Sequence, residues 1–248
     1  MAFQDHVSGH ASLYTRFRPG YPRGRFQFLA ALPAGRGCAW DCGTGNGQAA
    51  VGLAEFFEKV IATDPSAEQI AHAWPHAGVE YRLGSAEEPP LAGASVDLIT
   101  VAQALHWFDL PRFYVQVRRV ARPGGILAAW TYALAKIDPA VDRVIWHLYR
   151  NVLGADWPLE RKLVEERYAT IDFPFEEVPA PRFAMSAQWN FDELIGYLGT
   201  WSATQRYLGR EGKDPVDLVR TELADAWGAP ETVRDVAWPL DVRVGRVG

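Results

Sequence analysis

Between residues 38 and 64 the chain places Asp41, Gly43, Gly45, Gly47 and Asp64 at a spacing that could hold a ligand. Cys38-Ala-Trp-Asp41-Cys42 is a short apolar run with one acid, and it breaks into Gly43-Thr44-Gly45-Asn46-Gly47. Gln48 to Phe57 then reads as a helix. Strand, glycine turn and helix make the first βα unit of an open α/β sheet, where backbone without side chains lets a ligand approach closely. Lys59-Val-Ile-Ala-Thr-Asp64 reads as the second strand. It ends in an acid about 20 residues after the first glycine, the place from which a carboxylate holds ribose hydroxyls.

The glycine spacing bears on which nucleotide-like ligand this is. A dinucleotide fingerprint reads G-x-G-x-x-G and sets a helix N-terminus against a pyrophosphate. Here Gln48 stands where its third glycine would fall, and Asp41 would repel a pyrophosphate but suit an ammonium group. A ligand with an adenosine, no phosphate and an amino-acid end meets both conditions. On Asp41 and the Gly43-x-Gly45-x-Gly47 run, the chain resembles the class I S-adenosylmethionine-dependent methyltransferases. The resemblance implies S-adenosylmethionine as cofactor, with Asp41, Gly43, Thr44, Gly45, Gly47 and Asp64 among its contacts. The alternative is a nicotinamide-type Rossmann domain, against which Gln48 and Asp41 both argue.

The rest of the chain supplies elements that would frame this turn. Arg23 to Leu32 has helical periodicity and leads into the first strand. Val79 to Leu83 is a third strand, Ser95 to Gln103 a fourth that is nearly all apolar, and Ile126 to Thr131 a fifth after the Arg122-Pro-Gly-Gly125 turn. Continuous apolar strands of this kind are covered on both faces. Beyond residue 133 the pattern becomes helical, over Val141–Leu153, Leu159–Ala169, Phe191–Tyr207 and Asp214–Trp227, with a sixth strand within Pro179–Trp189. Val236 to Val247 alternates and closes the chain, and Pro239 in it predicts an edge strand. The expected fold is α/β: a Rossmann-like, doubly wound, seven-stranded sheet, mostly parallel with an antiparallel last strand, plus a helical cap inserted late in the chain. The divisions are an arm and lead-in helix over 1–33, a cofactor-binding core over 34–133, a cap around strand six over 134–235, and the last strand over 236–248, all within one domain.

Composition narrows the function classes. With 248 residues the chain can bury a full core. A net charge of −5 advertises no polyanionic partner, and the Asn/Asp-Pro-Pro-aromatic stretch that amino-methylating nucleic-acid enzymes carry after strand four is absent. No signal peptide or membrane span is visible, so the expectation is a cytoplasmic protein with a small-molecule substrate. Cys38 and Cys42 on one strand would lie about 13 Å apart, beyond disulfide reach, and read as core packing. No spacing suits a metal, so none is expected.

Two loops and an arm complete the candidate site. The resemblance places Ser85, Ala86 and Glu87 against the adenine and Gln103 among the cofactor contacts. It places the acceptor beside His106, Trp107 and Phe108, with Trp201 and Arg206 on the cap. Tyr14-Thr-Arg-Phe-Arg18-Pro-Gly-Tyr-Pro22 has the residue types of an arm that folds over cofactor and substrate in methyltransferases resembling trans-aconitate methyltransferase. Methyl transfer from a sulfonium is an in-line displacement that asks the protein for alignment and dryness. A carboxylate acceptor needs no base, only cations such as Arg18 and Arg206 to hold it bidentately. A quinone-type or amine acceptor would instead need His106 as base. A binding module that holds the cofactor without turnover is the non-enzymatic reading.

Overall fold

The computed structural model describes residues 19–248. Five strands form its parallel core: β1 (Cys38–Cys42), β2 (Lys59–Asp64), β3 (Val79–Leu83), β4 (Val96–Ala102) and β5 (Ala121–Thr131). β1 pairs in parallel with β2 and β4, β2 with β3, and β4 with β5. Three later strands, β6 (Glu176–Glu177), β7 (Phe183–Trp189) and β8 (Arg234–Arg246), extend the sheet antiparallel beyond β5 in the order β3-β2-β1-β4-β5-β8-β6, with β7 on β8. The strand order turns back between β1 and β4, which makes the C-terminal ends of those strands the binding edge of an open α/β sheet.

Alternation along the strands divides the core in two. Ala39, Leu98, Ile126, Ala128 and Trp130 point into one apolar cluster, and Trp40, Cys42, Ile99, Val101, Leu127 and Ala129 into another on the opposite face. The first cluster is covered by α1 (Arg23–Ala30), α2 (Gln48–Leu53), α5 (Pro139–His147), α7 (Phe191–Gly199), α8 (Ser202–Glu211) and α9 (Arg220–Trp227). The second lies under α4 (Leu110–Val120) and α6 (Arg161–Glu165). A short helix, α3 (Ala67–Ala71), follows β2 and is capped by Ser66, whose hydroxyl accepts the Gln69 N–H; Pro65 therefore precedes the cap rather than opening the helix. Cys38 and Cys42 are both buried and form no disulfide. No helix of the described residues is long and apolar enough to cross a membrane.

Three expected elements come out differently, each for a local reason. β8 is not an edge strand, because residues 241–246 pair with β5 while the rest of its length pairs with β7 and its end with β6. Pro239 falls between the bridge at Lys136–Ala237 and the start of the β5 ladder at Thr131–Asp241, so the missing N–H interrupts no ladder on that side. Residues 191–207 form two helices rather than one. The hydroxyl of Thr200 donates to the Tyr197 carbonyl, that of Thr204 to Leu198, and the amide of Gln205 to Gly199, so side chains take the carbonyls that a continuing helix would use. α5 ends at His147 in a π-turn over Leu148–Val152, which leaves the Tyr149 carbonyl to accept the Trp157 indole N–H at 3.0 Å.

Gly52 in α2 tests the close approach of α1 to α2. A Cβ there would lie 2.2 Å from the buried Phe26 ring. Alanine would gain roughly 0.5–1 kcal/mol of helix preference, but overpacking costs about 1–3 kcal/mol. Gly52→Ala is therefore expected to lower the urea midpoint; an unchanged or raised midpoint would show that Phe26 yields freely.

Candidate active site

β1 ends at Cys42 and the chain turns through Gly43, Gly45 and Gly47 at φ of +67°, +56° and +85°. The turn is tied to the end of β2. The N–H groups of Gly43 and Thr44 both donate to the Thr63 carbonyl, at 2.9 and 3.0 Å. Asp64 accepts the Gly45 N–H on one carboxylate oxygen and the Ser66 N–H on the other, each at 2.9 Å. The glycines differ in what forbids a side chain. At Gly43 a Cβ would meet Ala104 and Phe108, and at Gly47 the Tyr81 hydroxyl at 2.2 Å. At Gly45 nothing is closer than Gln69 at 3.8 Å, so that glycine answers to its backbone angle and to whatever approaches from outside.

Asp41 is fully buried and accepts hydrogen bonds from the hydroxyls of Thr44 and Thr100, both at 2.6 Å. Burial pushes its carboxyl up to about 6, against the pull of the two hydroxyls and of nearby Arg25. A cationic group brought beside it would favour the charged form and lower that value.

The two loops that flank this turn are fixed by their own contacts. Ser85 accepts the Glu88 N–H, Ala86 is buried, and Glu87 accepts the Asp109 N–H at the start of α4. Arg112 and Glu88 add an ion pair between the same two segments. Gln103 sits at φ +56°, a left-handed conformation that is costly without glycine. Its side-chain carbonyl accepts from the Thr131 hydroxyl and the Tyr132 N–H, and its amide donates to the Tyr132 carbonyl, so the side chain is committed to the end of β5.

On the acceptor side, His106 lies in a short turn after β4, with its Nδ1 2.8 Å from the Tyr168 hydroxyl and its ring 4.6 Å from that of Trp107. Trp107 is 43% exposed. Burial, with Arg161 nearby, pulls the imidazole down to about 3, so His106 is neutral at physiological pH. Tyr168 is fully buried and follows Arg167, and both have positive φ, a strained turn that aims the phenol at His106. Trp201 is packed in an aromatic cluster with Tyr149, Trp157 and Tyr197 rather than forming an open wall. Arg206 donates to the Asp156 carbonyl at 3.2 Å, and Arg210 pairs with the Asp156 carboxylate. Tyr14 and Arg18 lie outside the described residues.

Arg25 and Thr100 beside Asp41, and Tyr168 beside His106, join the candidate site although sequence reasoning did not name them. Thr100 and Tyr168 arrive from distant segments and carry no local signal. Arg25 had one: it falls on the stripe of α1 that also buries Phe26, Leu29 and Ala30.

These groups fit an adenosyl amino acid. A carboxylate offers about four acceptor positions, so the two N–H donors on Asp64 do not exhaust it for ribose hydroxyls. Gly45 presents bare backbone, and Asp41 suits an ammonium. Gly45→Val is therefore expected to keep the fold but weaken S-adenosylhomocysteine binding by about a hundredfold, since both the φ and the approach are lost. Wild-type affinity in that variant would displace the site. The pH dependence has a definite sign. Between about pH 4 and 6 folded Asp41 holds a proton that the unfolded chain releases, so stability of the ligand-free protein falls as pH rises through that window. An ammonium ligand favours the carboxylate, so S-adenosylhomocysteine should bind more weakly below about pH 6 and displace a proton there. Calorimetry in buffers of different ionisation enthalpy reads that proton, and Asp41→Asn should abolish it.

Comparison with known proteins agrees with this geometry. The methyltransferase-domain family matches residues 40–129, the stretch from β1 to the end of β5. A Dictyostelium discoideum protein named as a methyltransferase is 35% identical over 229 residues, 91% of this chain and 87% of that one. A solved structure from Anaeromyxobacter dehalogenans, named as a type II methyltransferase, is 49% identical with a TM-score of 0.87 and covers 93% of this chain and 98% of its own. A malonyl-[acyl-carrier protein] O-methyltransferase of Pectobacterium atrosepticum is 36% identical over 140 residues, 54% of this chain and 55% of that protein. With the glycine turn, the two acids and the strand order in place, this chain belongs to the class I S-adenosylmethionine-dependent methyltransferases.

Proposed function

We propose that the enzyme transfers the methyl group to a carboxylate oxygen of a small organic acid. The feature that supports this reading is the setting of His106, whose Nδ1 is engaged by the hydroxyl of fully buried Tyr168 at 2.8 Å while desolvation favours the neutral ring. An imidazole held down to about 3 is a weak base, poorly matched to removing a proton from a hydroxyl or amine near neutral pH. A carboxylate acceptor asks for no base. The relative named for O-methylation of a malonyl group supports the same acceptor chemistry.

The cofactor's sulfonium supplies an electrophilic methyl and leaves as a neutral thioether, so the leaving group needs no acid. The chain's own tasks are to bind, align and keep out water. Asp64 and the loop over Ser85, Ala86 and Glu87 would hold the adenosine, and Asp41 with the backbone of Gly43, Thr44, Gly45 and Gly47 the amino-acid end. Gln103 braces the end of β4 against β5, which fixes where His106 and Trp107 stand. His106 would contact the acceptor as a neutral hydrogen-bonding group. Arg18 and Arg206 would hold its carboxylate, with Tyr14 on the arm and Trp107 as an apolar neighbour, while Trp201 would brace the cap from within its aromatic cluster. The helices between residues 134 and 235 would cap the site.

The product distinguishes acceptor classes. A methylated carboxylate is an ester, which mild alkali hydrolyses to methanol, whereas N-methyl, C-methyl and aryl ether products survive. Incubation with methyl-labelled S-adenosylmethionine and a panel of small carboxylic acids is expected to give alkali-labile, volatile label, with kcat flat from pH 6 to 9. Alkali-stable label, or a rate that titrates and vanishes in His106→Ala, would favour the quinone-type or amine acceptor instead.

A further inference from the structure

Tyr168 is held in place at a cost. It is fully buried, and it follows Arg167 in a turn after α6 where both residues have left-handed backbone, at φ of +57° and +58°. Residues other than glycine keep that conformation only where their surroundings impose it. Here the guanidinium of Arg243 on β8 donates to the carbonyls of Tyr168 and Ile171, at 3.1 and 2.6 Å, and so clamps the turn from the sheet. What the clamp delivers to the binding edge is one polar contact, the phenol oxygen 2.8 Å from Nδ1 of His106.

Which of the two atoms donates follows from the lone pairs. The short turn Leu105–Trp107 opens with N–H groups that have no earlier carbonyl to meet, and those of Leu105 and His106 are hydrogen-bonded to the phenol oxygen instead. A phenol oxygen offers two lone pairs at most, so a third N–H, from the imidazole, finds none free. Burial pushes the phenol up, so it keeps its own proton. That proton has two acceptors nearby, Nδ1 and the hydroxyl oxygen of Thr131. The imidazole nitrogen is the more basic of the two. The Thr131 proton is itself committed to the side-chain carbonyl of Gln103, which Tyr132 orients through its own N–H and carbonyl. The Tyr168 hydroxyl therefore donates to Nδ1, and the neutral ring carries its single proton on Nε2.

We infer that Tyr168 is a positioning residue that fixes His106 as the Nε2–H tautomer, so that the ring meets the methyl acceptor as a hydrogen-bond donor to an anionic oxygen. The inference rests on the carboxylate acceptor proposed above. Among the described residues only Nδ1 of this ring is hydrogen-bonded, which leaves Nε2 for the acceptor. With a proton already there, Nε2 has no lone pair to take one from a hydroxyl or an amine. A protonated amine would bring only donors to face another donor. The tautomer thus selects for an acceptor that arrives as an anion and needs no base.

The experiment reads the tautomer directly, by proton–nitrogen correlation through the imidazole ring in ligand-free enzyme carrying isotope-labelled histidine, near neutral pH, with His106→Gln identifying the signals. Wild type is expected to show His106 as Nε2–H. Tyr168→Phe keeps the aromatic ring and removes the donor, and is expected to show a mixture of tautomers. With the same panel of small carboxylic acids, Tyr168→Phe is expected to raise KM by about tenfold and change kcat less. His106→Gln, whose side-chain amide can still donate, should retain more of the rate than His106→Ala. A wild-type ring protonated on Nδ1 would overturn the inference, and that result needs no variant to fold. An unchanged tautomer in Tyr168→Phe would overturn it too, as would equal rates in His106→Gln and His106→Ala. If the ring is Nε2–H but the labelled product resists alkali, the tautomer stands and the carboxylate reading fails; if the product is an ester and the ring is Nδ1–H, that reading stands and this inference fails.

Discussion

The carboxylate of Asp64 is the joint on which the binding edge depends. One oxygen holds the N–H of Gly45 in the turn after β1, and the other holds the N–H of Ser66 that begins the cap of α3. Two βα units are thereby locked at one residue, and the positive φ of the three glycines is sustained from outside the turn. A glycine-rich loop has high conformational entropy when free, so a charge-assisted contact to its centre does more than neutral hydrogen bonds would. Asp41 performs the complementary task from below, through Thr44 in the turn and Thr100 in β4. The two acids that would contact the cofactor also build the surface it would lie on.

That double use explains why this part of the molecule was legible in the sequence. The Gly43-x-Gly45-x-Gly47 run, Asp41 before it and Asp64 after it lie within one βαβ unit, and local spacing dictates their geometry. The five parallel strands were legible for the same reason, since their apolar runs are short and punctuated by turns. The cap was less so. Residues 191–207 keep a helical period across Thr200 and Trp201, and only the side-chain bonds of Thr200, Thr204 and Gln205 to earlier carbonyls end the first helix. Pro239 argued for an edge because a proline removes a donor; what it could not convey is that β8 changes partners where the donor is missing.

Side chains that reach the site from afar left still weaker traces. Tyr168 meets His106 only because Arg167 and Tyr168 both adopt left-handed backbone after α6, a conformation no residue type there demands. Arg25 lies on the buried stripe of α1, whereas its residue type alone argues for a solvent-facing position. Such placements answer to tertiary structure, and a residue whose buried position contradicts its type is a pointer to function.

The electrostatics of the edge have one direction. Asp41 is pushed up to about 6 and His106 down to about 3, in both cases chiefly by burial, so each group is biased towards neutrality. Arg25 is pulled down by the same cause. A region that disfavours charge of either sign before a ligand enters suits a reaction in which a sulfonium is consumed and a neutral thioether left behind. The proposed transfer to a carboxylate would remove both charges at once, and a setting that disfavours charge would favour that charge-annihilating step over the ion pair that precedes it. An acceptor that had to lose a proton would need a charged imidazolium to appear in the same place, against the bias that burial imposes on His106.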